Sequence, residues 1–139
     1  MYRREITLKF TIATLIQALF ALIGLGIVMY SYIESDLSIF ISIVFYVLVP
    51  SLGAYGTYFK KRSAILVSLV FFISQVYRNI STDNLIPNIR PITISFPFGD
   101  FSNGHGYLID FFAIFMAIFL AWLLKEVIAT NKLINKNLK

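Results

Sequence analysis

Residues 10–33 have the sequence FTIATLIQALFALIGLGIVMYSYI, and residues 37–59 have the sequence LSIFISIVFYVLVPSLGAYGTYF. Neither stretch contains a charged side chain. A helix needs about 20 apolar residues, each rising about 1.5 Å, to cross a hydrocarbon core about 30 Å thick. Both stretches are therefore predicted to be transmembrane helices, and the polar residues Glu34–Asp36 between them predict a tight antiparallel hairpin.

The composition of the whole chain indicates a membrane protein. Of its 139 residues, 58% are hydrophobic and 14% are charged, whereas soluble domains are about half apolar and about a quarter charged. So few polar side chains cannot cover a soluble fold of this size, which excludes a water-soluble enzyme.

The absence of cysteine excludes disulfides, thiolate nucleophiles and zinc–thiolate sites. The net charge of +5 comes from short basic groups at the edges of apolar runs, so no nucleic-acid partner is expected.

Two further apolar runs predict a third and a fourth transmembrane helix. Residues 63–80 reach spanning length if Arg78 extends its side chain to the lipid headgroups. Residues 107–128 reach it with Asp110 in the first helical turn, where the helix dipole favours a carboxylate. The predicted fold is an all-α membrane protein in one domain, 1–139, with four transmembrane helices in a compact antiparallel bundle, over about 10–33, 37–59, 63–80 and 107–128.

The third connection, residues 81–106, is long enough to be more than a turn. Pro87, Pro91 and Pro97 disfavour a helix there, because each removes a backbone donor and biases the preceding residue toward extended geometry. Ile92–Phe96 alternate apolar and polar, which predicts a strand or an extended segment on the membrane surface. We expect an extended outer loop, with a partly mobile loop as the alternative.

The basic residues predict the orientation of the helices. All of the 12 Lys and Arg residues except Arg78 and Arg90 lie before residue 10, at 60–62 or after 124, on one side of a four-helix chain. Since short cytoplasmic connections are enriched in Lys and Arg, both termini are expected in the cytoplasm, with the chain in a bacterial inner (plasma) membrane. The first apolar run is too long for a signal-peptide core and lacks a small-residue cleavage pattern, so we expect the mature protein to retain it.

Two rows of small or polar residues predict where the helices pack. In the fourth helix a small residue recurs every four positions, at Ala113, Ala117 and Ala121. Such a row of small residues lets another helix approach closely. A row at i, i+3, i+7 and i+10 in the first helix consists of Thr14, Gln17, Ala21 and Gly24. We expect Gln17 to make an interhelical hydrogen bond, with a substrate contact as the alternative.

Asp110 shares a helical face with the alanine row and is expected to point into the bundle. It is either a proton or cation site or a structural group whose ion pair or hydrogen bond fixes the helix. Arg78 and Gln75, at the outer end of the third helix, lie at a similar depth, so we predict that one of them contacts Asp110. Pro50 predicts a kink of the second helix near residues 49–53, because proline leaves a carbonyl one turn earlier without its helical donor.

His105 is the only histidine of the chain and lies between two glycines, Gly104 and Gly106. It could titrate near neutral pH or act as a general base, but a lone histidine in a glycine-rich turn is more often a loop or cap element. Its spacing from Asp100 and Asp110 does not match that of metal ligands on a helix, so no metal site is predicted. No motif for a cofactor or a catalytic group is found, and no enzymatic activity is expected.

Three functions are compatible with these features. The packing rows favour a non-enzymatic membrane protein that acts through helix–helix contacts as an accessory, assembly, immunity or inhibitory factor of another membrane protein. The second is a small oligomeric transporter or channel that uses Asp110 and Gln17. The third is an outer-face, lipid-handling enzyme that uses His105. The expected partners are membrane lipids and either another integral membrane protein or a second copy of the chain.

Overall fold

The computed structural model describes residues 2–30, 36–79, 91–100 and 105–137, which are mostly helical. The helices are α1 (Tyr2–Tyr30), α2 (Asp36–Ile43), α3 (Val49–Tyr58), α4 (Arg62–Gln75) and α5 (Phe111–Asn137). One π-helical turn, Val44–Leu48, joins α2 to α3. Between α4 and α5 lie three short strands, β1 (Tyr77–Asn79), β2 (Ser95–Asp100) and β3 (His105–Asp110).

Three helical segments are long and apolar enough to cross a membrane. They are Leu8–Tyr30, Ile39–Tyr58 and Phe111–Leu133. The prediction of a mostly helical chain with helices of spanning length is therefore confirmed for three of the four apolar runs. The third run forms α4, which is apolar but has only 14 residues.

The predicted bounds of the third and fourth helices are wrong where the two helices meet the sheet. Residues 77–79 are strand β1 rather than the last turn of the third helix, and residues 107–110 belong to strand β3 rather than to the fourth helix. These two segments pair with each other, Tyr77 opposite Ile109 and Asn79 opposite Tyr107. The backbone N–H and C=O groups of each segment are thus hydrogen-bonded to a strand that lies far away in sequence. A search for apolar runs cannot detect such long-range pairing. The fold is helical with a small sheet rather than all-α.

The sheet has the order β1-β3-β2 with antiparallel pairing throughout. Pro97 lies in β2, an edge strand, where a residue without an N–H group is tolerated. The expected extended outer loop is in part this strand: β2 begins at Ser95, three residues later than the alternating segment that starts at Ile92.

The turn between α3 and α4 ends α3 with a Schellman motif. The Lys61 N–H donates to the Gly56 carbonyl at 2.8 Å, and the Lys60 N–H donates to the Thr57 carbonyl at 3.3 Å. Lys60 takes the left-handed conformation that this motif requires, with φ of 54°. Glycine usually fills this position, because a Cβ atom is disfavoured there.

Helix α1 packs on α3, α3 packs on α4, and α4 packs on α5. Four phenylalanines join these helices in the half of the core near the sheet. Phe20 of α1 meets Phe72 of α4 edge to face, with ring centroids 5.7 Å apart, and stacks on Phe112 of α5 at 6.2 Å. Phe71 lies 5.2 Å from Phe72. Such aromatic pairs add specific geometry to the burial of apolar surface.

Candidate functional site

Four polar side chains contact one another between the apolar helices α1, α3 and α4, and we call Thr14, Gln17, Thr57 and Ser68 the glutamine cluster. Gln17 is fully buried, about 14 Å along α1 from Leu8 by helical rise. The Ser68 hydroxyl of α4 donates to Gln17 Oε1 through a short hydrogen bond. Gln17 Nε2 donates to the Ala13 carbonyl at 3.3 Å and to the Thr57 hydroxyl of α3 at 3.5 Å. Both ends of the amide are therefore bonded within the chain.

The threonines of the glutamine cluster complete this network. The hydroxyls of Thr14 and Thr57 lie 2.9 Å apart. Thr57 also lies 3.0 Å from the carbonyl oxygens of Gly53 and Ala54, one turn earlier on its own helix. The cluster thus ties α1, α3 and α4 together.

Two glycines make this close packing possible. A Cβ atom at Gly53 would overlap Gln17 Oε1 and lie 2.5 Å from Ser68 Oγ. A Cβ atom at Gly24 would overlap the carbonyl oxygen of Tyr46 and lie 2.8 Å from Tyr46 Cβ. Helix α1 therefore rests directly on the backbone of the α2–α3 helix. The row predicted for α1 faces this contact, because Gln17, Ala21 and Gly24 are all buried.

The π-helical turn lies next to Pro50 and next to this contact. Pro50 has no N–H group to donate to Tyr46, four residues earlier. The helix widens instead, and the Val49 N–H bonds to the Val44 carbonyl, five residues earlier. The residues at which a kink is predicted, 49–53, directly follow this π-helical turn, and the kink itself stays a prediction.

Asp110 is the N-cap of α5. Its Oδ1 accepts hydrogen bonds from the backbone N–H groups of Phe112 at 3.0 Å and Ala113 at 3.2 Å, and from Ile94 at 3.4 Å. Its Oδ2 accepts from the Thr93 hydroxyl at 2.8 Å. The carboxylate is 4% exposed. Through these hydrogen bonds Asp110 connects the residues before β2 to the start of α5. Asp110 was predicted to lie in the first turn of the helix, but it precedes the helix.

The predicted partners of Asp110 lie close to it. Gln75 is buried at the end of α4 and lines, together with Asp110 and Phe112, a cavity of about the volume of one water molecule. Arg78 lies in β1 opposite Leu108, two residues before Asp110 on the neighbouring strand. A direct contact of Arg78 or Gln75 with Asp110 stays a prediction.

The three alanines of the row in α5 become less buried along the helix. Ala113 is buried, Ala117 is half-buried and Ala121 is exposed. A spacing of four residues drifts by about 40° per step on a helix of 3.6 residues per turn, so Ala121 lies about 80° from Ala113. The buried row instead follows the residues Ala113, Met116, Leu120, Leu123 and Val127. Ala117 and Ala121 thus leave a shallow strip on the outside of the helix.

A charged group at the other end of the helices was not predicted from the sequence. Lys9 Nζ lies 3.7 Å from Glu126 Oε1 and 4.0 Å from the centre of the Trp122 ring. Lys60 Nζ lies 5.1 Å from the centre of the Phe10 ring. The spacing of Trp122 and Glu126 by four residues, which places them on one helical face, is the signal that could have found this site.

His105 is the first residue of β3. The side chain of His105 lies outside the described residues. Within the described ranges, no group of three or more His, Cys, Asp or Glu residues could hold a metal ion. Comparison of the chain with protein-family models, curated proteins and solved structures gives no match.

Proposed function

We propose that the chain crosses the membrane four times, with α4 as the short third crossing. Its 14 residues span about 21 Å at a rise of 1.5 Å each, which is too little for a core of about 30 Å. Strand β1 continues from it and adds three residues, or about 10 Å at 3.3 Å each. Strand β1 then lies in the headgroup layer, and α4 crosses the hydrocarbon where the bilayer is locally thinner, as a helix shorter than the core requires.

We propose further that both termini are cytoplasmic, in a bacterial inner membrane. The contacts of Lys9 with Trp122 and of Lys60 with Phe10 support this, because they bring together the beginning of α1, the α3–α4 turn and the second half of α5. These are the three basic regions of the sequence. Lys and Arg gathered at one end of the helices are typical of a cytoplasmic end.

The proposed function is that of a non-enzymatic contact protein, an accessory, assembly, immunity or inhibitory factor of another integral membrane protein. The observation that carries this proposal is that the buried polar side chains of the helices and of the α5 N-terminus are bonded within the chain itself. Gln17 is held by Ser68 and Thr57, and Asp110 is held by four donors around the start of α5. The strip at Ala117 and Ala121 then offers a second helix a close approach from outside.

The same hydrogen bonds count against the transporter alternative. A side chain that releases and rebinds a proton or an ion must give up its structural partners in each cycle. For Asp110 this would break the cap of α5, and for Gln17 it would open the contact between α1, α3 and α4. The lipid-handling alternative depends on His105, whose side chain lies outside the described residues.

Chemical cross-linking tests the proposal, because the chain contains no cysteine and a single introduced thiol reacts at one place. Ala121→Cys is labelled with a thiol-reactive photocross-linker in native membranes. Leu15→Cys is the matched control, since Leu15 is an exposed apolar residue of α1. We expect one discrete adduct with a different protein from Ala121→Cys and none from Leu15→Cys. Adducts of the chain with itself alone, or equal adducts from both variants, would contradict the contact function.

A further inference from the structure

The three-stranded sheet has one aromatic side. Residues directly opposite each other in an antiparallel pair project to the same side of a sheet. The register therefore puts Tyr77 and Phe96 beside Ile109, and Phe98 beside Tyr107, on one side. Their rings form a continuous row, with centroids 5.6 Å apart for Tyr77 and Tyr107, 5.9 Å for Tyr107 and Phe98, and 6.1 Å for Phe98 and Phe96.

This aromatic side faces away from the helices. Tyr77 is 60% exposed, Phe96 62%, Phe98 40% and Tyr107 37%. Arg78 and Asp110 belong to the opposite side of the sheet by register, and Asp110 there is buried. The same register gives Asp100 and His105 positions on this side too, opposite each other beyond Phe98 and Tyr107 at the end of the β2–β3 pair, so the uncharged part of this side is its aromatic row.

The aromatic side continues into the outer surface of α5. Phe96 meets Phe111, the first residue of α5, with ring centroids 6.4 Å apart. From Phe111 an exposed apolar row runs down the helix through Phe115 and Ile118 at i, i+4 and i+7. In the proposed membrane arrangement this row faces lipid, and the aromatic side of the sheet extends the same surface.

The position of the sheet along the chain sets its depth. Strand β3 runs into α5 at Phe111 without a linker, and only Val76 separates α4 from β1. The sheet therefore lies at the ends of the crossings. Its open edges need water or headgroups as hydrogen-bond partners, which keeps it out of the hydrocarbon. Tyrosine and other aromatic side chains accumulate at this boundary, where apolar rings and polar groups are both solvated.

We propose that the sheet is a lipid anchor, with the aromatic side of Tyr77, Phe96, Phe98 and Tyr107 lying against the boundary between headgroups and acyl chains of the outer leaflet. The inference rests on the proposed crossing of the membrane. It assigns the bilayer itself, and no protein, as the partner of this surface. Strands β1, β2 and β3 are thereby held at the membrane surface.

Tryptophan fluorescence in vesicles tests this proposal, because Trp122 is the only tryptophan and Trp122→Phe removes the background. In that background Phe98→Trp reports the aromatic side and Leu108→Trp the opposite side. Ile118→Trp, about 10 Å further along α5 from Phe111, reports insertion of the helix independently of the sheet. The purified chain is reconstituted in vesicles of phosphatidylethanolamine and phosphatidylglycerol that carry nitroxide lipids labelled at the headgroup or deep in the acyl chain, and iodide is the aqueous quencher.

We expect headgroup nitroxide to quench Phe98→Trp several-fold more than Leu108→Trp, and the deep nitroxide to quench Ile118→Trp most. Quenching of Phe98→Trp by iodide but not by lipid would overturn the anchor while Ile118→Trp still reports insertion. Protection of Phe98→Trp from both quenchers would also overturn it, since a second copy of the chain would then cover the side. Failure of lipid to quench Ile118→Trp would instead refute the membrane arrangement. Tyr107→Trp repeats the measurement if Phe98→Trp does not fold.

Discussion

Replacing Asp110 separates a structural carboxylate from a transport site. Asp110→Ala removes the acceptor for the N–H groups of Phe112 and Ala113 at 3.0 and 3.2 Å and for the Thr93 hydroxyl at 2.8 Å. Loss of an N-cap costs about 0.5–2 kcal/mol, and each buried donor left without a partner costs about 1–3 kcal/mol. The Thr93 hydroxyl keeps Ser95 as a neighbour at 2.5 Å. We therefore expect the free energy of unfolding to fall by about 3 kcal/mol.

The matched variant is Asp110→Asn, which keeps one carbonyl oxygen as an acceptor for the start of α5. It loses the charge and replaces the Oδ2 acceptor with an amide donor, to which the Thr93 hydroxyl can turn as an acceptor, so we expect a decrease of about 1 kcal/mol. The assay is equilibrium unfolding by SDS of the protein in dodecyl maltoside micelles, followed by helical circular dichroism. An unfolding free energy for Asp110→Ala within about 0.5 kcal/mol of the wild-type value would refute the cap. So would an equal loss of stability in the two variants, because the charge and not the acceptor would then matter.

The same unfolding assay tests the close packing and the turn. Gly53→Ala drives a methyl group into Gln17 and should lower stability by about 1–3 kcal/mol. Gly26→Ala, whose Cβ would meet nothing within 4 Å, should raise it by about 0.5–1 kcal/mol, and equal effects of the two would contradict the packing. Ser68→Ala removes the hydrogen bond to Gln17 and should cost about 0.6 kcal/mol; no loss would mean that the bond contributes nothing. Lys60→Gly relieves the left-handed φ of 54° and should add about 1 kcal/mol, whereas a loss would show that the Lys60 side chain matters more than its backbone.

The helices were predictable because membrane crossing leaves a local signal. The uncharged runs at residues 10–33 and 37–59 became α1 and the α2–α3 helix almost to their ends. Burial of Gln17 was also predictable, since a polar residue within the small-residue row of α1 must face protein instead of lipid. Its partners Thr57 and Ser68 were not, because they come from two other helices whose rotation is fixed only by packing.

The sheet was missed for the opposite reason. Residues 107–110 are apolar up to Asp110, and a short apolar run cannot be assigned to a helix or a strand by its periodicity alone. The pairing with β1 that decides the matter joins residues about 30 positions apart along the chain. One local signal was present: the alternating segment that leads into β2 is followed by Asn103-Gly104, a dipeptide typical of hairpin turns. Asp110, immediately before the apolar residues of α5, also matches the pattern of an N-cap.

We propose that the polar groups inside this protein hold its own helices together and that the protein acts by contact with another membrane protein. The most direct test is the mass of the particle that a tagged copy, expressed at its native level, forms when purified from its native membrane in mild detergent. We expect a heteromeric particle that contains this chain and one other integral membrane protein in a fixed ratio. A particle with only integer multiples of the mass of this chain would contradict it and would favour a homo-oligomeric transporter.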